Sequence, residues 1–326
     1  MGSSAAMRFP LADWIDGHTA CRYSFGSSGM HGVVRPRVPS ARQLREATEG
    51  ELRERLAELL GVAADRVFLG PGATEANAWV TWFARRHVSG RTPRCRVEFP
   101  EYPPLVDGAR AAGFRVVGAD AGRADLAVVS QPRNPGGDLW SRDHLTRFAG
   151  SVRATLVDET FREFSPVPSV QRWGLPGVWT TGSFTKVYGG DDLRVGFVVA
   201  PERDRLDFAR FHGLVADEMA RYAVAGALAT LDVRTRILAR VRRIVGANQG
   251  AWRIARPRGP KLVASVVFDR PVVPDGNALA RRCLRRSILV CPGSYFGDPA
   301  GVRLGLTRPT FPSDLRHYLA VADSDR

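Results

Sequence analysis

Residues 178–201 read VWTTGSFTKVYGGDDLRVGFVVAP: two short apolar, β-branched runs separated by a turn rich in Gly and Asp. Runs of this length bounded by Gly and Pro suit strands buried on both faces. The same punctuation recurs upstream in RVFLG (66–70), RVEF (96–99), FRVVGAD (114–120), LAVVSQP (126–132) and ATLVDE (154–159). Helical patterns lie between them, in TEANAWVTWFARRHV (74–88), PLVDGARAAG (104–113) and SRDHLTRFAG (141–150). Strand alternating with helix predicts an α/β fold, a mostly parallel seven-stranded sheet with helices on both faces.

Outside this block the pattern changes. Residues 41–60, ARQLREATEGELRERLAELL, carry apolar positions at helical spacing with Glu/Arg pairs, and predict one exposed amphipathic helix. Residues 204–256 read as helices. From about 260, KLVASVVFD, SILVCPG and GVRLGLT read as strands around the helix GNALARRCLRR, which is the pattern of a smaller α+β unit. The expected division is an N-terminal segment, 1–40, packing with the small domain or a partner subunit, a large domain, 41–235, and a small C-terminal domain, 236–326. The opening MGSSAAM is expected to stand outside the fold, and WVTWF (79–83) to be core.

Composition narrows the function classes. The chain of 326 residues is 44% apolar, enough for a proper core. It has no run of about 18 apolar residues and no apolar stretch of a secretion signal, so no membrane span is expected. The four cysteines have no metal-ligand spacing, so neither a zinc site nor a disulfide framework is expected, and a reducing cytoplasm is the default. The net charge of +14 would attract anions. Its arginines are interleaved with acids and no nucleic-acid-binding signature appears, so nucleic acid is not the expected partner.

Among 47 Lys plus Arg residues only Lys186 and Lys261 are lysine. Lys261 reads as surface; Lys186 is either a chance survivor of the arginine bias or kept where a primary amine is needed, because a guanidinium is neither deprotonated nor a useful nucleophile. In open α/β sheets ligands bind beyond the carboxyl ends of the strands. Those ends here offer the turn PGATEA opening a helix, Tyr102 of PEYPP, Asn134 of RNPGG, Asp158 and Lys186. An anion cradle, an aromatic face, an amide, a carboxylate and an amine together suit a phosphorylated heteroaromatic aldehyde.

At this point the sequence resembles the fold-type I pyridoxal-phosphate enzymes of the aminotransferase class I/II branch, which includes the histidinol-phosphate aminotransferases. The resemblance rests on SFTK followed by VYGGDDLRVG, on QPRNPGG, VDETF and GVRLGLTRP, in order along residues 20 to 315. It implies pyridoxal 5'-phosphate as cofactor, a Schiff base to Lys186, and a phosphate grip from Ala73, Thr74, Ser183, Thr185 and Arg194. It further implies Asp158 at the pyridine nitrogen, Asn134 at the ring oxygen, Tyr102 stacked on the ring, and Arg303 on the substrate carboxylate. Amino acids and 2-oxo acids would be the substrates and a homodimer the assembly, with Tyr23 reaching a partner subunit's phosphate.

The departures from the family pattern matter. Where relatives carry a ring-oxygen tyrosine, this chain has Phe161, and the loop GGDDL sets Asp191 and Asp192 near the cofactor edge, as solvated loop residues or facing a cationic substrate. The segment RYSFGSSGMHG (22–32) stands where relatives approach the substrate, and its SSGMH is similar to capreomycidine synthases. By that likeness Ser28 and Gly29 would touch substrate, and His31 would serve as an acid or base. Transamination is the expected reaction, in specialised metabolism. The alternatives are a pyridoxal-phosphate-dependent cyclase, eliminase or decarboxylase, such as the threonine-phosphate decarboxylases, and a non-catalytic regulatory protein on the same fold.

Overall fold

The computed structural model describes residues 9–89, 92–150, 152–271 and 274–324; the opening MGSSAAM lies outside them. Twelve strands are described: β1 (Tyr23–Ser24), β2 (Val67–Gly70), β3 (Arg94–Arg96), β4 (Arg115–Val117), β5 (Leu126–Ser130), β6 (Ala154–Asp158), β7 (Val178–Ser183), β8 (Gly196–Val199), β9 (Val266–Asp269), β10 (Ile288–Leu289), β11 (Cys291–Pro292) and β12 (Val302–Gly305). The helices are α1 (Pro10–Asp16), α2 (Ala41–Glu46), α3 (Glu49–Leu60), α4 (Ala73–Arg86), α5 (Pro103–Ala111), α6 (Arg142–Ala149), α7 (Arg205–Val215), α8 (Arg221–Asp232), α9 (Arg234–Ala255), α10 (Gly276–Arg285) and α11 (Phe311–Ala322).

The seven expected strands form one sheet in the order β2-β8-β7-β6-β5-β3-β4. Every neighbouring pair is parallel except the two made by β8. Its inner strands, β5, β6 and β7, are buried throughout their length, as continuous apolar runs require. On one face Trp79 and Phe83 of α4 pack with Trp179 and Phe208, rings whose truncation would each remove roughly 3–5 kcal/mol. Trp140, Leu145 and Phe148 pack with Val157 and Val178 in a separate cluster.

Two expectations are corrected by the local chemistry. Residues 41–60 are two helices. The Thr48 hydroxyl accepts the Glu51 N–H while Ala47 turns extended, so a new N-cap interrupts the apolar period. In WVTWF, Trp79 and Phe83 are core but Trp82 is 46% exposed, because a helix sends residue 82 away from the face shared by 79 and 83.

A second sheet, β11-β12-β9, is antiparallel. The N-terminal segment is strapped to it. β1 pairs with β10 in parallel, and the chain runs on with Phe25 N–H donating to Leu289 O, Gly305 N–H to Phe25 O, and Ser265 Oγ to Ser28 O. Tyr23, expected to reach a partner subunit's phosphate, stacks on His317 of its own chain with ring centroids 4.1 Å apart. No helix among the described residues is long and apolar enough to cross a membrane.

Candidate active site

The ends of β5, β6 and β7 and the start of α4 converge on a cleft of about 700 Å³, part of it open to solvent. Ala73, Thr74, Tyr102, Asn134, Asp158, Phe161, Thr185, Lys186, Arg194 and Ser28 all line it, together with Asp191, expected near the cofactor edge, and Asn77, which sequence reading had not assigned to it. Lys186 makes no ion pair among the described residues. Burial pulls its amine below the ordinary lysine range; the nearby charges of Arg303 and Arg194 add to that, and those of Asp191 and Asp158 oppose it. A lowered lysine pKa raises the share of neutral, nucleophilic amine at a given pH.

The anion cradle has a geometric cause. Gly72 is the N-cap of α4, no side chain caps that helix, and its φ of 137° is open to glycine. A Cβ on Gly72 would stand 2.9 Å from Arg194 Nη2, and one on Gly196 would meet the Gly72 backbone at 2.4 Å. The unspent N–H groups of the first turn and a guanidinium therefore meet on one side of the cleft. Arg194 is itself left-handed, at φ 50° and ψ 53°, a conformation costing roughly 1 kcal/mol outside glycine. Thr185 lines this end, whereas Ser183 stands behind it: the Ser183 hydroxyl donates to Thr185 Oγ1 at 2.9 Å and accepts the Thr185 N–H at 3.1 Å. Its place is to orient Thr185.

Asp158 closes β6 and is 6% exposed. One oxygen accepts the Thr160 N–H at 2.8 Å and the other accepts Asn77 Nδ2 at 2.9 Å. Asn77 is in turn held by Thr181, whose hydroxyl donates to Asn77 Oδ1 at 2.6 Å. The signal for Asn77 was its spacing, four residues after Ala73 and so on the same face of α4.

Tyr102 and Asn134 share a hidden support. Glu101 is wholly buried and accepts from Tyr102 N–H, Ser130 N–H, Ser130 Oγ and Arg133 Nη1, the last at 2.8 Å. Ser130 Oγ also accepts the Asn134 N–H at 2.8 Å, so one buried ion pair fixes both loops. Glu101→Gln leaves the Arg133 cation uncompensated and is expected to destabilise the fold by about 3 kcal/mol, read from the urea midpoint at unchanged slope. Burial and the charge of Asp158 push the Tyr102 hydroxyl up to about 12, against the pull of Arg303, so its ring stays neutral. Asn134 Oδ1 and the Thr160 hydroxyl are buried without a hydrogen-bond partner among the described residues. Phe161, beside them, is buried against Phe164 and offers no hydroxyl.

Arg303 does not line the cleft; it lies beneath it, 2% exposed, on β12. Its Nη2 donates to Gly26 O at 2.7 Å and approaches Cys291 Sγ at 3.2 Å, while Nε has no partner. No carboxylate pairs with it among the described residues. A Cβ on Gly29 would lie 3.1 Å from Lys186 Cδ and 3.2 Å from His31 Nδ1, so Gly29 separates the lysine from the imidazole. His31 is half-exposed and outside the lining, with its Nδ1 3.1 Å from Asp191 Oδ2. That contact holds the Asp191 carboxyl below its usual range. Only this member of the acidic pair faces the cleft, since Asp192 is exposed.

Comparison with known proteins agrees with this geometry. The chain is 29% identical over 302 residues to a histidinol-phosphate aminotransferase of Symbiobacterium thermophilum, covering 81% of this chain and 78% of that one. It is 26% identical over 365 residues to the capreomycidine synthase of Streptomyces vinaceus, covering 94% and 91%. An aminotransferase structure from Mycobacterium tuberculosis superposes with a TM-score of 0.80 at 16% identity over 97% of this chain and 96% of that one. The L-threonine-O-3-phosphate decarboxylase of Porphyromonas gingivalis does so at 0.67 and 19%, over 85% and 90%. These last two likenesses speak to the fold. Residues 46–316 match the family described as aminotransferase class I and II, so the chain belongs to that family of pyridoxal-phosphate-dependent enzymes.

Proposed function

We propose that the cleft holds pyridoxal 5'-phosphate and that the protein transfers amino groups between an amino acid and a 2-oxo acid. The observation that carries this reading is the convergence of Lys186, Asp158, Asn134 and the open N-terminus of α4 on one cavity. The residues fit the group: a positive, uncapped cradle for a phosphate, a buried amide atom without a partner, and a carboxylate with both oxygens already hydrogen-bonded yet facing the cleft. When bound, pyridoxal phosphate supplies an aldehyde that exchanges amines and a ring that withdraws electrons from the reacting carbon.

The chain's own residues then divide the work. Ala73, Thr74, Thr185 and Arg194 hold the phosphate, with Ser183 fixing Thr185. Tyr102 covers the ring face, Asn134 meets the ring oxygen and Phe161 walls that side without a hydroxyl. Asp158 stands at the ring nitrogen and holds a proton there. Lys186 Nζ holds the cofactor, then moves the proton to and from the substrate α-carbon. Arg303 takes the α-carboxylate, with Ser28 and Gly29 beside the substrate.

Exposed Leu206, Leu214, Val215 and Tyr222 on α7 and the start of α8 support a homodimer. All four cysteines are free, as a reducing cytoplasm allows. The domain division proposed is an N-terminal segment, 1–40, a cofactor-holding unit, 41–235, and a smaller C-terminal unit, 236–326, to which residues 23–28 are tied. A second reading is favoured by Phe161 and by the His31–Asp191 contact beside Lys186: a lyase or cyclase in natural-product metabolism, with His31 as the extra acid or base.

The test is the visible absorption of purified protein with added pyridoxal phosphate, for wild type and Lys186→Ala, before and after a panel of amino acids that includes L-arginine. A cofactor band lost or displaced in the variant is the expected result. No band in wild type would overturn the proposal. Incubation with an amino donor and 2-oxoglutarate separates the two readings, because only a transaminase makes glutamate.

A further inference from the structure

We infer that Asn77, braced by Thr181, is a positioning residue that aims Asp158 at the bound cofactor ring, an inference that rests on the proposed function. Three elements meet in this chain of hydrogen bonds: α4, whose N-terminus is the phosphate cradle; β6, which ends in Asp158; and β7, which leads to Lys186. Thr181 is wholly buried and pairs in register with Asp158 across β6 and β7. Asn77 is 7% exposed, and its backbone carbonyl also accepts the Thr81 hydroxyl at 2.7 Å.

Hydrogen-bond inventory sets the direction of this network. An ionised carboxylate only accepts, so Asn77 must present its NH₂ to Asp158 and its Oδ1 the other way. The hydroxyl of Thr181 meets that oxygen at 2.6 Å. Without it Oδ1 would be buried with no donor, and the amide would gain by swinging away from Asp158. Two donors at fixed angles, Asn77 Nδ2 and the Thr160 N–H, leave the remaining lone pairs of Asp158 directed into the cleft. Removing either support leaves the carboxylate less well aimed, so a proton at the ring nitrogen is held less firmly.

The experiment uses holoenzyme loaded with pyridoxal phosphate labelled with ¹⁵N in the ring, whose nitrogen chemical shift reports protonation. Asn77→Ala is expected to move that shift toward the unprotonated value at neutral pH and to lower kcat by roughly ten- to a hundredfold with little change in KM, the scale seen when a hydrogen bond orienting a working group is lost. Thr181→Val should do the same to a smaller degree, and Thr181→Ser, which restores the hydroxyl, should return both readings toward wild type. Thr181→Val keeps the side-chain shape, so it carries the test if Asn77→Ala does not fold. Variants that bind the cofactor and keep the wild-type shift across the pH range would overturn the inference, leaving these residues as packing alone. Wild-type protein that takes up no cofactor would instead overturn the proposed function, and this inference with it.

Discussion

Lys186→Arg is expected to fold, to keep the local positive charge, and to lose turnover with every amino acid by about four orders of magnitude, the upper end of what a positioned acid–base group contributes. The substitution is the most telling one available because arginine fills nearly every other basic position of this chain. If charge were the requirement, arginine would serve. The amine of Lys186 is held below its ordinary pKa by burial and by neighbouring cations, whereas a guanidinium stays protonated in any protein environment and cannot exchange with an aldehyde. Steady-state turnover checks this directly, and added methylamine should return part of the activity to Lys186→Ala, whose cavity admits a small free amine. Turnover in Lys186→Arg within tenfold of wild type would end the assignment.

Arg303→Met is expected to separate function from stability. Arg303 is buried, carries no carboxylate partner among the described residues, and leaves Nε without an acceptor. Relief of a buried charge that lacks a carboxylate partner offsets the lost hydrogen bond to Gly26 O. The ligand-free variant should therefore melt close to the wild-type temperature. For substrates the opposite holds: losing a charge-assisted grip on the carboxylate removes about 1.5–3 kcal/mol per hydrogen bond, or roughly ten- to a hundredfold in KM for each. A variant both less stable and unchanged in KM would show that Arg303 is a structural prop.

Much of this was legible in the sequence, and the physical reason is periodicity. Strands buried on both faces are written as contiguous apolar runs, and their ends announce the turn residues on which a ligand sits. Lys186, Asp158, Asn134 and Thr74 were found that way. The supports were not. Asn77 meets Asp158 across 81 positions and Thr181 across 104, and Glu101 meets Arg133 across 32. No local pattern records such pairings, because each partner is an ordinary residue in its own stretch. Thr48 was passed over for a related reason: the apolar spacing runs through it, and only its hydroxyl, satisfied by Glu51 N–H, breaks the helix. The bond between Ser183 and Thr185, two residues apart at the end of β7, was not read either.

The strap that pins residues 23–28 to β10 and β12 has an evolutionary consequence. Arg303 holds Gly26 O, and Ser265 holds Ser28 O, so the groups proposed for a substrate hang on the short sheet, while those proposed for the cofactor hang on the long one. Substitutions in the strap can therefore alter which amino acid is accepted without disturbing the chemistry that all acceptable amino acids share. A lineage, or an experimenter building a library, can vary Ser27 and His31 most readily, whereas Gly29 packs against Lys186 and Met30 is buried with its N–H on the Lys186 carbonyl.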